Sequence, residues 1–185
     1  MAHDLMDDLE EVLLDERAIA TRVAEMGAQI SADYYDKDLV LIGILRGAVV
    51  FLSDLTRAIP IPHSLDMMGA SSYGKSTVSQ GFVRITNDVS MDLENKDVLV
   101  IEDIYDSGRT LAVVRDMVQA HKPRSIELCA FLWKEVGNRA ANLDVKYHGF
   151  RIPDKFVVGY GLDYSEHYRN LPVVGVLKPE VYMNR

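Results

Sequence analysis

Two runs of the chain, "DLVLIGIL" (38–45) and "KDVLVIED" (96–103), are apolar at consecutive positions rather than at alternate ones. A strand with one wet face alternates. A strand covered on both faces does not, and such strands belong to parallel sheets sandwiched between helices. "SIELCAFLW" (125–133) and "KFVVGYG" (155–161) extend the series, with shorter strands in "PHSLDMMGA" and "GFVRIT". Helical stretches separate them. Ile19, Val23, Met26 and Ile30 recur at three- and four-residue steps, which predicts a helix over about 15–35. "GAVVFLSDLTRAI" (47–59) and the segment from Gly108 to Ala120 read the same way. Strand alternating with helix implies βαβ units and a mostly parallel sheet flanked by helices, an α/β fold. In such sheets ligands bind beyond the carboxyl ends of the strands.

At 185 residues the chain has the size of a single domain, 1–185. Its core is expected over about 35–140, with a small hood from about 144–185 and the N-terminal segment. Apolar residues make up 48% of the chain, enough for a substantial core, and the net charge of −8 argues against a nucleic-acid partner. No apolar run approaches the ~18 residues of a membrane span. No secretory signal precedes the acidic start, so a cytoplasmic protein is expected. Cys129 stands alone in an apolar strand and is read as a buried, inert thiol. The five histidines are scattered, so any metal is expected to be a hard cation held by oxygen.

Two segments could hold phosphate. Gly69-Ala70-Ser71-Ser72-Tyr73-Gly74-Lys75-Ser76 matches the pattern of a nucleotide-binding P-loop letter for letter. That loop works only when it opens a helix, and "STVSQGFVRIT" reads as a strand instead. The second segment is "VLVIEDIYDSGRTL" (98–111). Here a buried strand ends, a turn over 103–108 follows, and a helix begins. Amide groups of about 106–110, with the Ser107 and Thr110 hydroxyls, can converge on one phosphate, and Gly108 lets the backbone come close. Glu102 and Asp103 should repel a phosphate. They suit vicinal hydroxyls and the water shell of Mg²⁺. A ligand with both needs is a phosphorylated sugar.

That stretch resembles the phosphoribosyl-pyrophosphate signature of type I phosphoribosyltransferases. "EDIYDSGRTL", together with "DKFVVGYGLDYSEHYRNLP" downstream, resembles the hypoxanthine-guanine branch. The likeness spans about 38–175. It implies the type I phosphoribosyltransferase fold and Mg²⁺-dependent transfer of 5-phosphoribosyl to N9 of hypoxanthine or guanine, giving IMP or GMP. The partners it implies are phosphoribosyl pyrophosphate and a 6-oxopurine base, in a homodimer or homotetramer.

The resemblance also assigns residues. Glu102 and Asp103 would bind the ribose hydroxyls and order Mg²⁺. Asp106 would handle the N7 proton, and Ser107, Gly108, Arg109 and Thr110 would hold the 5′-phosphate. The family more often has Thr and Lys where this chain has Ser107 and Arg109. Arg46 and Gly47 match a loop whose backbone contacts pyrophosphate, often through a cis peptide, and Arg46 replaces a common Lys. Ser72 and Tyr73 match a mobile lid, which accounts for the P-loop lookalike. Lys134 would donate to the purine O6, Phe156 would stack on the base, and Val157 would offer backbone groups to its edge. Asp163 would complete a second Mg²⁺ site beside the base, and Arg169 would contact pyrophosphate. Two other readings stay open: a weakly catalytic sensor of phosphoribosyl pyrophosphate or nucleotide, and a P-loop NTPase.

Overall fold

The structure is a computed structural model that describes residues 4–72 and 83–183. After a short 3-10 turn at Leu5–Asp8 come β1 (Leu9–Leu14), α1 (Glu16–Asp33), β2 (Leu39–Leu45), α2 (Val49–Ala58) and β3 (His63–Ser72). Then follow β4 (Val83–Asn87), β5 (Asp97–Tyr105), α3 (Arg109–Ala120), β6 (Ser125–Glu135) and β7 (Tyr147–Pro153). The chain ends with β8 (Val157–Val158), β9 (Val174–Leu177) and α4 (Pro179–Met183).

Six strands form the main sheet in the order β4-β3-β2-β5-β6-β7. Every neighbouring pair is parallel except β3 and β4. The continuous apolar runs do what their pattern implies. Leu39 and Leu41 of β2 point into a core shared with α1 and α2, while Val40, Ile42 and Ile44 point into a second core against α3. In β5, Leu99 and Ile101 serve the first core, and Val98 and Val100 the second. α1 starts where Asp15 caps it, accepting from the Ala18 N–H at 2.7 Å, and it buries Ile19, Val23, Met26 and Ile30.

A smaller antiparallel sheet, β1-β9-β8, forms a lobe of its own around Leu9, Val158, Tyr168, Leu171 and Leu177. Polar links tie its two chain ends together: the Tyr168 hydroxyl donates to Asp8 at 2.7 Å, and Lys155 pairs with Glu11 at 2.7 Å. Among the described residues no helix is long and apolar enough to cross a membrane.

Several elements differ from the sequence reading. Segment 147–153, expected in the C-terminal lobe, is the edge strand of the main sheet. The strand expected over 155–161 is reduced to Val157–Val158, because Gly159, Tyr160 and Gly161 all take positive φ and turn the chain away. β1 lies where no element was expected. The strand read over 96–103 holds Glu102 and Asp103 as expected, but β5 continues to Tyr105, so the turn read over 103–108 begins later. In the P-loop lookalike, Gly69–Ser72 are strand residues of β3 rather than a cradle loop, and the remaining positions lie outside the described residues.

Candidate active site

A cleft of about 760 Å³ opens at the carboxyl ends of β2, β3 and β5. Its walls include Arg46 and Gly47 after β2, the whole stretch from Glu102 to Leu111, and Asp163 and Arg169 from the smaller lobe. Gly108 makes the turn possible. Its φ of 78° is left-handed, and an added Cβ would lie 2.3 Å from the Ala141 carbonyl oxygen. α3 begins one residue later. Its first N–H groups and the positive end of its dipole therefore face the cleft beside Ser107 and Thr110.

Glu102 and Asp103 line the same cleft. Glu102 is 9% exposed, and its Oε2 is buried without a hydrogen-bond partner. Burial pushes its carboxyl well above the ordinary range, and the Asp103 charge adds to the shift. Burial raises Asp103 too, against the lowering pull of its bond with Glu102, the Ile104 N–H and the Arg169 charge. The Ile104 N–H donates to Asp103 Oδ1 at 2.8 Å.

A buried carboxylic acid with a raised pKa keeps a proton that the unfolded chain has already released. Stability therefore falls as pH climbs from the ordinary glutamate value of 4.5 through the folded value. Asp97, held low by the Arg124 guanidinium, titrates beneath that window. The melting temperature of the ligand-free protein should decline across it, and Glu102→Gln should flatten the decline. A scan of melting temperature against pH for both proteins checks this. Parallel curves would show that Glu102 is ionised throughout.

Among the described residues, no three His, Cys, Asp or Glu side chains gather closely enough to hold a metal by themselves. Two neighbouring carboxylates, one with an orphaned oxygen, fit a hard cation that keeps most of its water and takes further oxygens from a bound ligand.

The remaining predicted residues are distributed around this cup. The Leu45–Arg46 peptide is cis. Arg46 pairs with Glu166 at 2.5 Å, and Glu166 lies 3.4 Å from Arg169. Arg169 also pairs with Asp163 at 2.7 Å and donates to the Gly161 carbonyl at 2.8 Å. Lys134 lies one residue before the end of β6, with its ammonium 3.0 Å from Asp154 and 3.8 Å from Asp106. Phe156 lies against the rings of Tyr164 and Tyr182, at centroid distances of 5.8 and 5.2 Å. Val157 is buried and pairs with Val176. Lys134, Phe156 and Val157 do not line the cleft. Lys134 reaches it only through Asp106. The backbone of Ser72 closes β3 opposite Val83, and Tyr73 lies outside the described residues.

Three residues with no role in the sequence reading take part. Glu166 bridges the two expected cations. Asp154 holds Lys134, and it opens the very stretch that carries the downstream resemblance, which is the signal that could have singled it out. Arg139 grips the backbone of the turn itself, donating to the carbonyls of Tyr105 and Asp106. It sits in a loop without any motif.

Comparison with known proteins agrees with this geometry. Residues 10–165 match the family model described as the phosphoribosyl transferase domain. A hypoxanthine-guanine phosphoribosyltransferase of Staphylococcus aureus is 49% identical over 178 residues, covering 96% of this chain and 99% of that protein. One from Mycobacterium avium is 46% identical over 181 residues, 95% of this chain and 89% of the other. The crystal structure of a hypoxanthine phosphoribosyltransferase from Staphylococcus aureus superposes with a TM-score of 0.90 at 48% identity, over 98% of this chain and 99% of that one.

Proposed function

The chain belongs to the phosphoribosyltransferase family, and from that premise we infer that it is a purine-salvage enzyme of the hypoxanthine-guanine branch. It transfers 5-phosphoribosyl from phosphoribosyl pyrophosphate to N9 of hypoxanthine or guanine and releases pyrophosphate. One observation supports the substrate reading: a single cleft is lined both by the neighbouring acids Glu102 and Asp103 and by the amide-rich start of α3. Few ligands want both a carboxylate-bound diol and an amide-bound phosphate.

The residues divide the work. The amides of Asp106–Thr110, with the Ser107 and Thr110 hydroxyls, seat the 5′-phosphate, and Arg109 adds charge beside it. Glu102 and Asp103 take the ribose hydroxyls and would hold a hydrated Mg²⁺ ion, whose charge would offset that of the leaving diphosphate. Asp163 would complete a second Mg²⁺ site beside the base. Arg46, the Gly47 backbone and Arg169 receive the pyrophosphate. Lys134, held by Asp154, donates to O6 of the base, Phe156 stacks on its ring, and the Val157 backbone meets its edge. Ser72 and Tyr73 belong to a lid over the reacting centre.

In the transfer, the N9 lone pair attacks C1 and the C1–oxygen bond breaks with its electrons going to pyrophosphate. Asp106 takes the N7 proton as positive charge grows on the base. No covalent nucleophile is needed. Burial raises the Cys129 thiol, which agrees with an inert side chain. By the same kinship the working enzyme is a cytoplasmic homodimer or homotetramer, which light scattering distinguishes.

A spectrophotometric assay with phosphoribosyl pyrophosphate and Mg²⁺ against hypoxanthine, guanine and xanthine tests the reading. Turnover with hypoxanthine and guanine is expected. ATP hydrolysis without any phosphoribosyl pyrophosphate, or inertness towards all three bases, would sink it.

A further inference from the structure

Where two parallel strands stop pairing, carbonyls are left without a partner across the pair, and such groups need a donor. β5 stops at Tyr105, while β6 runs on beside β7 to Glu135 without a β5 partner beyond Trp133. Tyr105 is in register with Trp133, and the next backbone oxygens belong to Asp106 and Lys134. One side chain reaches the carbonyls of Tyr105, Asp106 and Lys134, the last of which also accepts from the Val136 N–H at 3.1 Å. The Arg139 guanidinium donates from Nη1 to the carbonyl oxygens of Tyr105, at 3.1 Å, and of Asp106. From Nη2 it donates to the Lys134 carbonyl oxygen at 2.5 Å. It also lies over the rings of Tyr105 and Trp133, 4.2 and 5.0 Å from their centroids. The loop that carries it is itself anchored to the turn. The Ala141 N–H donates to the Ser107 carbonyl at 3.0 Å, and the Tyr105 hydroxyl donates to the Ala141 carbonyl at 3.0 Å and accepts from the Leu143 N–H at 2.8 Å.

We propose that Arg139 is a positioning residue that sets the separation between the phosphate-and-ribose turn and the base-reading Lys134. The inference rests on the roles given above to those two groups. The turn fixes where C1 sits, and Lys134 fixes where the purine sits. The reaction runs only if C1 and N9 are brought together in line. Arg139 is tied to the main chain of both, so it acts on both substrates while touching neither. Arginine suits the task because its planar fork presents several donors at fixed angles and stacks on aromatic faces. A lysine offers one compact charge. Misplacement by about 1 Å in such a site costs on the order of a hundredfold in rate.

Arg139→Gln and Arg139→Lys test this in the full-length enzyme, with both substrates varied and Lys134→Gln as reference. Both Arg139 variants should raise KM for phosphoribosyl pyrophosphate and for the purine together and lower kcat, by about tenfold or more. Lys134→Gln should affect the base alone. Combining Arg139→Gln with Lys134→Gln should cost less than the two single losses added, because the first change already displaces Lys134. A wild-type enzyme inactive with both substrates would overturn the functional reading beneath the proposal. An active wild type whose Arg139 variants melt lower but keep their kinetic constants within twofold would overturn the proposal alone. A shift confined to one substrate, or loss of the folded state in both variants, would do the same and leave Arg139 a purely structural residue.

Discussion

Replacing Asp106 with asparagine is expected to lower kcat by about 10²- to 10⁴-fold while changing KM for phosphoribosyl pyrophosphate only slightly. That range is what a positioned proton acceptor contributes. The two effects separate because Asp106 has two parts with different duties. Its backbone belongs to the turn proposed to bind phosphate and is held by Arg139 through its carbonyl. Its side chain, half exposed and 3.8 Å from the Lys134 ammonium, is the part proposed to meet the base. Asparagine keeps the volume and the backbone, so the phosphate seat survives. What disappears is the negative charge beside N7. A fall in kcat that leaves binding in place is the mark of an interaction made in the transition state. Steady-state kinetics with the sugar substrate varied at saturating hypoxanthine measures both numbers. Unchanged turnover would remove Asp106 from the chemistry.

Gly47→Ala should be nearly as damaging to activity, for a reason visible in the packing. A Cβ at position 47 would lie 1.6 Å from Asp103 Oδ2. The backbone has no room to retreat, because the Gly47 carbonyl already lies against Gly161, where a Cβ would come within 2.2 Å of it. The Asp103 carboxylate must therefore swing away. Little else need move, so the stability loss should stay within the roughly 1–3 kcal/mol typical of overpacking. Activity should fall far more, about a hundredfold or beyond, because the displaced group is one of the two acids proposed to hold the ribose. A thermal melt set beside kcat/KM for phosphoribosyl pyrophosphate checks the contrast. A variant with normal activity would mean that Asp103 can leave its place at no cost.

These effects were legible in the sequence to different depths. The consecutive apolar runs at 38–45 and 96–103 announced strands buried on both faces, and both lie at the centre of the main sheet. Their burial is set by local pattern. The edge strand 147–153, "YHGFRIP", has an internal glycine, an arginine and a terminal proline, and takes its strand form from pairing with β6. Tertiary contact decides such segments. "LEEVLL" of β1 has a helix-forming composition and becomes a strand because Val174–Leu177 offers it an edge. At the site, the residues of the 102–110 turn were readable because strand, glycine and helix start are contiguous in the chain. The Gly47–Asp103 contact and the three carbonyls gathered by Arg139 join separate segments, and no local pattern records them. The exchange of Thr and Lys for Ser107 and Arg109 leaves the arrangement of the turn intact, since that arrangement rests on the backbone and on Gly108.

The β1–β9 pairing has a consequence for the order in which the molecule can be completed. The turn proposed to seat the 5′-phosphate is braced by Arg139, Ala141 and Leu143 and so needs nothing later on the polypeptide to hold its shape. The lobe that carries Phe156, Asp163 and Arg169 is fastened by Leu9 meeting Leu177, a closure spanning almost the entire length of the polypeptide. Closing so large a ring costs only slightly more entropy than closing a small one, but the search is slow. A nascent chain leaving the ribosome can thus shape the turn before α3 while the smaller lobe is still waiting for its final strand.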